Sequence, residues 1–212
     1  MKREKILLIS LFMGLVVCSG CATLSFVSPV EPRHIIVSSS ANPGSGNSVT
    51  MRGTSLTLIG SGVKVGDQAT EVTLVGTDLK PVNLPGDKGR VKIISIVPSL
   101  DTKVCENQTH LFSERNQGLD KEVDIITISM DLPFAQARFQ EKSGIRNIRF
   151  LSDYQTSDFG NKYGLLIKEL RLLSRSVIVL DKENVIRYIQ VVPELTQLPD
   201  YERALAIARN LL

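Results

Sequence analysis

The 212-residue chain has no tryptophan, 5% aromatic residues, two histidines and three cysteines. Each shortage narrows the field. Because His34 and His110 stand far apart and no Cys/His pair has ligand spacing, no metal site built from side chains is expected, and no cofactor either. Lysine and arginine nowhere concentrate with interleaved aromatics, and the formal net charge is only +3, so nucleic acid is not an expected partner. With 42% hydrophobic and 22% charged residues the composition is that of an ordinary globular protein, which excludes collagen-like, mucin-like and wholly disordered chains. A chain of this length buries a sizeable core without disulfide staples. No Cys-x-x-Cys pair lies beyond residue 21, which removes dithiol reductase and isomerase chemistry from the folded part.

What is present begins with an address. Lys2, Arg3 and Lys5 precede an apolar run at 6–17, shorter than the ~20 residues of a membrane-spanning helix, so a secretory signal is expected. Cys18-Ser19-Gly20-Cys21 follows and resembles a bacterial lipobox, with Cys18 where that motif usually has leucine. The resemblance implies that Cys21 is lipidated and becomes the mature N-terminus. A lipid anchor on the periplasmic or outer face of a bacterial envelope membrane follows from it. Residues 22–47 are rich in Ser, Pro, Asn and Gly and bury too little apolar surface to offset their ordering entropy. The expected organisation is therefore a signal peptide at 1–20, a flexible tether at 21–48 and one domain at 49–212.

The domain opens with β-type alternation at 49–52 and 55–59 across Gly53-Thr54, an N-terminal hairpin. Short strands are expected at 71–75 and 81–84. Val91-Lys92-Ile93-Ile94-Ser95-Ile96-Val97 is β-branched and nearly all apolar, as a strand buried on both faces of a sheet requires. A helix at 102–116, a buried strand at 123–130, a helix at 133–142, a short strand at 149–151 and a helical turn at 157–163 follow. Strands at 176–180 and 185–191 form a second hairpin, and an amphipathic helix at 199–212 ends the chain. This order predicts an α/β domain with a mixed central sheet flanked by helices, and it fits a thioredoxin-like fold. The late hairpin argues against an all-parallel doubly wound alternative.

Cys105 is the only cysteine outside the leader. If Thr102 is the N-cap of the helix after Pro98, Cys105 falls in the first turn, where unpaired N–H groups and the helix dipole favour an anion. That is the setting of a nucleophilic cysteine, although a buried structural thiol fits the position equally well. His110, five residues on, is expected to point away from it. Asn107-Gln108-Thr109 spells a glycosylation sequon inside the predicted helix and is discounted.

Pro98-Ser99-Leu100-Asp101-Thr102-Lys103-Val104-Cys105 resembles the Pro-x-x-x-Thr-x-x-Cys motif of peroxiredoxins, and the thiol peroxidase subfamily in particular. Further likeness runs through Val65-Gly66-Asp67-Gln68-Ala69, Asp131-Leu132-Pro133-Phe134-Ala135-Gln136, Arg138-Phe139, Ser174-Arg175-Ser176-Val177 and Pro199-Asp200-Tyr201, and so over nearly all of 49–212. The resemblance implies that Cys105 is the peroxidatic nucleophile. Thr102 would hydrogen-bond the thiolate, Pro98 would shield it, Arg175 would supply positive charge, and Phe134 would line an apolar pocket. It implies a peroxide substrate, hydrogen peroxide or an organic hydroperoxide, an external thiol reductant (a thioredoxin-like protein or a small thiol), and a homodimer surface nearby.

The chain departs from the pattern where a resolving cysteine follows the Arg-Phe pair, since Gln140 stands there. With Cys18 removed and Cys21 lipidated, one free thiol remains, and a one-cysteine cycle is expected. A non-catalytic scaffold lipoprotein and a peroxide sensor relaying oxidation to a partner are the rival readings.

Overall fold

The computed structural model describes residues 34–212. The expected signal peptide, Cys21 and the first part of the expected tether lie outside the described residues. In chain order the elements are β1 (Ile36–Val37), β2 (Ser48–Met51), β3 (Thr54–Ile59), β4 (Val72–Gly76), β5 (Pro81–Leu84), β6 (Val91–Ile96), α1 (Lys103–Glu114), β7 (Val123–Ser129), α2 (Pro133–Ser143), β8 (Arg149–Ser152), α3 (Asp158–Tyr163), β9 (Leu166–Ile167), β10 (Ser176–Leu180), β11 (Ile186–Val191), β12 (Leu198–Pro199) and α4 (Tyr201–Asn210).

Seven strands form the central sheet in the order β11-β10-β6-β7-β8-β4-β5. The pairs β6–β7 and β7–β8 are parallel and the remainder antiparallel, so the sheet is mixed, as the late hairpin requires. Every residue of β6 is buried, and its alternating side chains feed two cores. Ile94 and Ile96 join Ile126, Ile128, Ile178 and Leu180 on one face, beneath the β2–β3 hairpin and α3. Val91 and Ile93 join Val177, Val179, Phe112 of α1 and Ala204, Leu205 and Ala208 of α4 on the other. Lys92 survives inside this strand because its ammonium donates to the carbonyls of Asp87 and Arg90 and to Asn184 Oδ1; burial lowers its pKa.

The β2–β3 turn falls at Arg52-Gly53, one residue earlier than expected. Both residues have positive φ (52° and 80°), the backbone of a two-residue type I′ hairpin loop. Glu194 holds this turn. Its carboxylate accepts from the Arg52 and Gly53 N–H groups and from the Thr50 and Thr196 hydroxyls. Burial alone would raise its pKa, but these bonds outweigh it and hold the group down to about 2.

The tether expected through residue 48 is shorter than its composition implied. Ile36–Val37 pairs in parallel with Leu198–Pro199, Ala41 N–H donates to Val191 O (2.8 Å), and Gly44 N–H donates to Gly164 O (2.9 Å). Backbone bonding to the domain does what side-chain burial in this polar segment does not. It depends on Gly164, at φ 68°, where a Cβ would run into the backbone of Gly44 and Gly62.

Asp153 is the buried carboxylate among the described residues, 2% exposed and bonded by the Phe159 and Gly160 N–H groups. Burial pushes its pKa up to about 6, with nearby Asp158 adding to the shift and those two bonds opposing it. A carboxyl whose folded pKa is raised contributes stability that is complete below its unfolded value and is lost as pH rises through the folded one. Between pH ~5 and ~7.5 this group should therefore cost about 1 kcal/mol. Asp153→Asn is expected to lack that slope. Urea unfolding at both pH values checks it, and equal slopes in the two proteins would contradict it.

Candidate active site

The loop leaving β6 passes through half-buried Pro98 and ends at Thr102, the N-cap of α1, in extended conformation (φ −129°, ψ 141°). Cys105 is therefore in the first turn, as the sequence indicates. The thiol is fully buried, packed with Leu100, Phe112 and Val97. Thr102 is exposed, and its hydroxyl donates to Ser99 O (3.2 Å) rather than to the sulfur expected from the resemblance. The N-cap geometry explains this: the side chain turns back along the loop.

Arg175 lies one residue before β10. Because β10 pairs antiparallel with β6, with Ser176 opposite Ile96, the start of β10 lies beside the C-terminal end of β6, where the Pro98 loop begins. The Arg175 side chain is 2% exposed, and its three nitrogens are all used. Nε donates to Leu195 O (2.9 Å), Nη1 to Gln108 Oε1 (2.8 Å) and Nη2 to Cys105 Sγ (3.4 Å). None of these partners is a carboxylate. A buried guanidinium surrounded by neutral acceptors lacks a counter-ion, and the sulfur is the one acceptor that becomes an anion by losing a proton. The arrangement thus sets a cationic donor directly on the sulfur.

Two parts of this clamp were not anticipated. Gln108 is buried, and its amide nitrogen donates to Ser95 Oγ (2.8 Å) in β6, which fixes the side-chain oxygen toward Arg175. Its spacing, three residues after Cys105 on one helix face, was the available signal. Leu195 contributes only its carbonyl, which no side-chain pattern marks. Its N–H donates to Thr50 O (2.8 Å), so the Glu194-braced hairpin fixes one end of the arginine clamp. Thr109 is buried with its hydroxyl on Cys105 O (2.9 Å).

A cavity of about 690 Å³ opens between α1 and α2, bordered by Thr102, Glu106, Asp131, Arg138 and Phe139. His110 also lines this cavity, and its Nδ1 lies in hydrogen-bond contact with Glu114 Oε1 (2.9 Å) rather than with Cys105. Phe134 does not line this cavity. It is 58% exposed, because Ala135, Arg138, Phe139 and Lys142 occupy the inward helical positions of α2 and leave residue 134 outside that set. Phe139 lines the cavity instead, edge-on to Phe150 with ring centroids 5.8 Å apart. Gln140 borders a separate cavity with Pro81 and Arg149.

Comparison with known proteins gives consistent matches. The sequence profile of the Redoxin family matches residues 64–205. A thiol peroxidase of Halalkalibacterium halodurans is 45% identical over 165 residues, 78% of this chain and 99% of that one. A thiol peroxidase of Bacillus subtilis is 45% identical over 77% of this chain and 98% of its own length. Among solved structures, a peroxiredoxin-like protein from Aquifex aeolicus is similar with a TM-score of 0.74 and 41% identity, over 80% of this chain and 99% of that one.

The clamp predicts a rate effect. Arg175→Met should slow peroxide oxidation of Cys105 ~10–100-fold, the equivalent of losing one charge-assisted bond of about 1.5–3 kcal/mol. Rapid quenching into denaturant, with the remaining thiol counted by mass spectrometry, measures it, and a rate like that of the unmodified protein would reduce Arg175 to a packing residue.

Proposed function

The chain belongs to the Redoxin family and is a thiol-dependent peroxidase of the peroxiredoxin type, and we propose that it turns over by a one-cysteine cycle on a lipid-anchored body. The observation that carries the cycle is that Cys105 is the free cysteine of the described residues, while Gln140 stands where the resolving thiol was expected. The thiolate attacks one peroxide oxygen and the O–O bond breaks. Cys105 becomes a sulfenic acid, oxidised by two electrons, and the other oxygen leaves as water or an alcohol after taking a proton. Arg175, with Nη2 on the sulfur, lies beside the charge that develops on the leaving oxygen. An external thiol then displaces water from the sulfenic acid to form a mixed disulfide. A second thiol releases Cys105 and carries away the oxidised pair.

The scaffold reading gives no reason to bury an arginine against a thiol without a carboxylate. In the catalytic reading that burial is the device that activates the nucleophile.

Cys105→Ser is expected to abolish peroxidase activity with the fold retained, because a hydroxyl is a far weaker nucleophile at neutral pH. Equimolar peroxide should convert the unmodified protein to a species trapped by a sulfenic-acid reagent. A non-reducing gel should then hold no disulfide-shifted monomer. An intrachain disulfide would overturn the one-cysteine cycle.

The anchor rests on the Cys18–Cys21 sequence alone, outside the described residues. It would locate the enzyme on the periplasmic or outer face of an envelope membrane. Cys21→Ala should abolish incorporation of labelled fatty acid; continued labelling of that variant would overturn the assignment.

A further inference from the structure

An external thiol has to touch a sulfur that is fully buried beneath the first turn of α1. What keeps that turn closed decides how readily the second half of a one-cysteine cycle can run. The helix N-terminus lacks the usual side-chain cap, since the Thr102 hydroxyl accepts from none of the N–H groups that follow it. The loop is held instead from the neighbouring element. Asp131, half-buried between β7 and α2, accepts Ser99 Oγ on one carboxylate oxygen (2.7 Å). On the other it accepts Leu100 N–H (2.7 Å) and Ser129 Oγ (2.8 Å). Ser99 passes this hold onward: its hydroxyl accepts Asp101 N–H (3.3 Å) and its carbonyl accepts the Thr102 hydroxyl (3.2 Å). Asp131 is itself anchored, because Ser152 Oγ donates to its carbonyl. Ser129, which shares the carboxylate, also accepts from the buried Gln136 amide (3.0 Å).

We propose that Asp131 is a positioning residue that latches the 98–102 loop and so gates access of external thiols to Cys105. The inference rests on the one-cysteine reading for its place in turnover, but the latch itself concerns only the opening of the first turn. With the latch engaged, Cys105 faces Arg175 and is set for peroxide. With it released, the first turn opens toward the cavity that Thr102 and Glu106 border, and the sulfur becomes reachable. In a two-state equilibrium dominated by the closed form, weakening the latch multiplies the small open population while barely depleting the closed one. Attack by bulky thiol reagents therefore accelerates far more than reaction with peroxide declines.

Three donors converge on the Asp131 carboxylate, and an asparagine offers only one accepting oxygen, so Asp131→Asn leaves at least one donor unpaired. The test is alkylation of the reduced, full-length protein by a bulky maleimide, followed at the Cys105 peptide by mass spectrometry with and without dilute urea. Asp131→Asn should be alkylated about tenfold faster, as loss of one charge-assisted bond implies, and the acceleration should not depend on urea. Alkylation no faster than in the unmodified protein overturns the proposal. So does acceleration that climbs steeply with urea, since that marks exposure by global unfolding. If Asp131→Asn does not fold, Ser99→Ala removes one of the three donors on Asp131, together with the acceptor of Asp101 N–H, and should give the same urea-independent change at smaller amplitude; its absence is equally decisive. An intrachain disulfide in the oxidised unmodified protein would sink the one-cysteine reading and leave this alkylation comparison intact.

Discussion

The structure turns on one buried cation. Arg175 is held among a carbonyl, a side-chain amide oxygen and a sulfur, with no carboxylate among its partners. Burying a guanidinium is unfavourable, and the fold tolerates it because each of its three nitrogens has an acceptor. Thiol and arginine are thus two parts of one hydrogen-bonded arrangement. Much of the remaining polar structure serves to keep them facing one another.

That service comes from elements that have no contact with the sulfur. Ser95 spends a buried position in the central strand on orienting Gln108, which in turn orients Arg175. The β2–β3 hairpin, stapled through Glu194, fixes the Leu195 carbonyl that accepts from Nε. Asp131 sets the loop before α1 from the opposite side. Each is a satisfied polar group in or beside a dry core, where hydrogen bonds are strong and loss of a partner is costly. The result is a cysteine and an arginine held together by a connected set of hydrogen bonds.

The burial of Cys105 raises a second problem. A thiol sealed from solvent suits a small peroxide and does not suit a larger thiol reductant. Under the proposed one-cysteine cycle, with Gln140 on a different cavity, reduction comes from an external thiol whose access the proposed Asp131 latch governs. The absent N-cap bond at Thr102 and the latch at Asp131 belong together in this light: the helix end is held by a neighbour rather than by itself.

Local rules made much of this legible before any fold was known. The all-apolar rhythm of 91–97 marks a strand buried on both faces, the Pro98 loop and Thr102 mark a helix start, and together they set Cys105 in the first turn. Those features depend on neighbours along the chain. Arg175 was reached only through resemblance, because it meets Cys105 across 70 positions, by the antiparallel register of β10 on β6. Gln108 was visible as a residue but not as a partner, and the Leu195 carbonyl has no side-chain signature at all. Composition marked 34–47 as tether, yet backbone bonds to β11, β12 and Gly164 order part of it, and backbone bonds carry no compositional trace. Phe134 and Phe139 share one short helix, and only the way α2 packs decided which of them faces the site. The sequence by itself determined where the nucleophile sits on its own helix; tertiary structure decided what surrounds it, because charge activation and access are set by residues brought close through pairing and packing rather than through chain order.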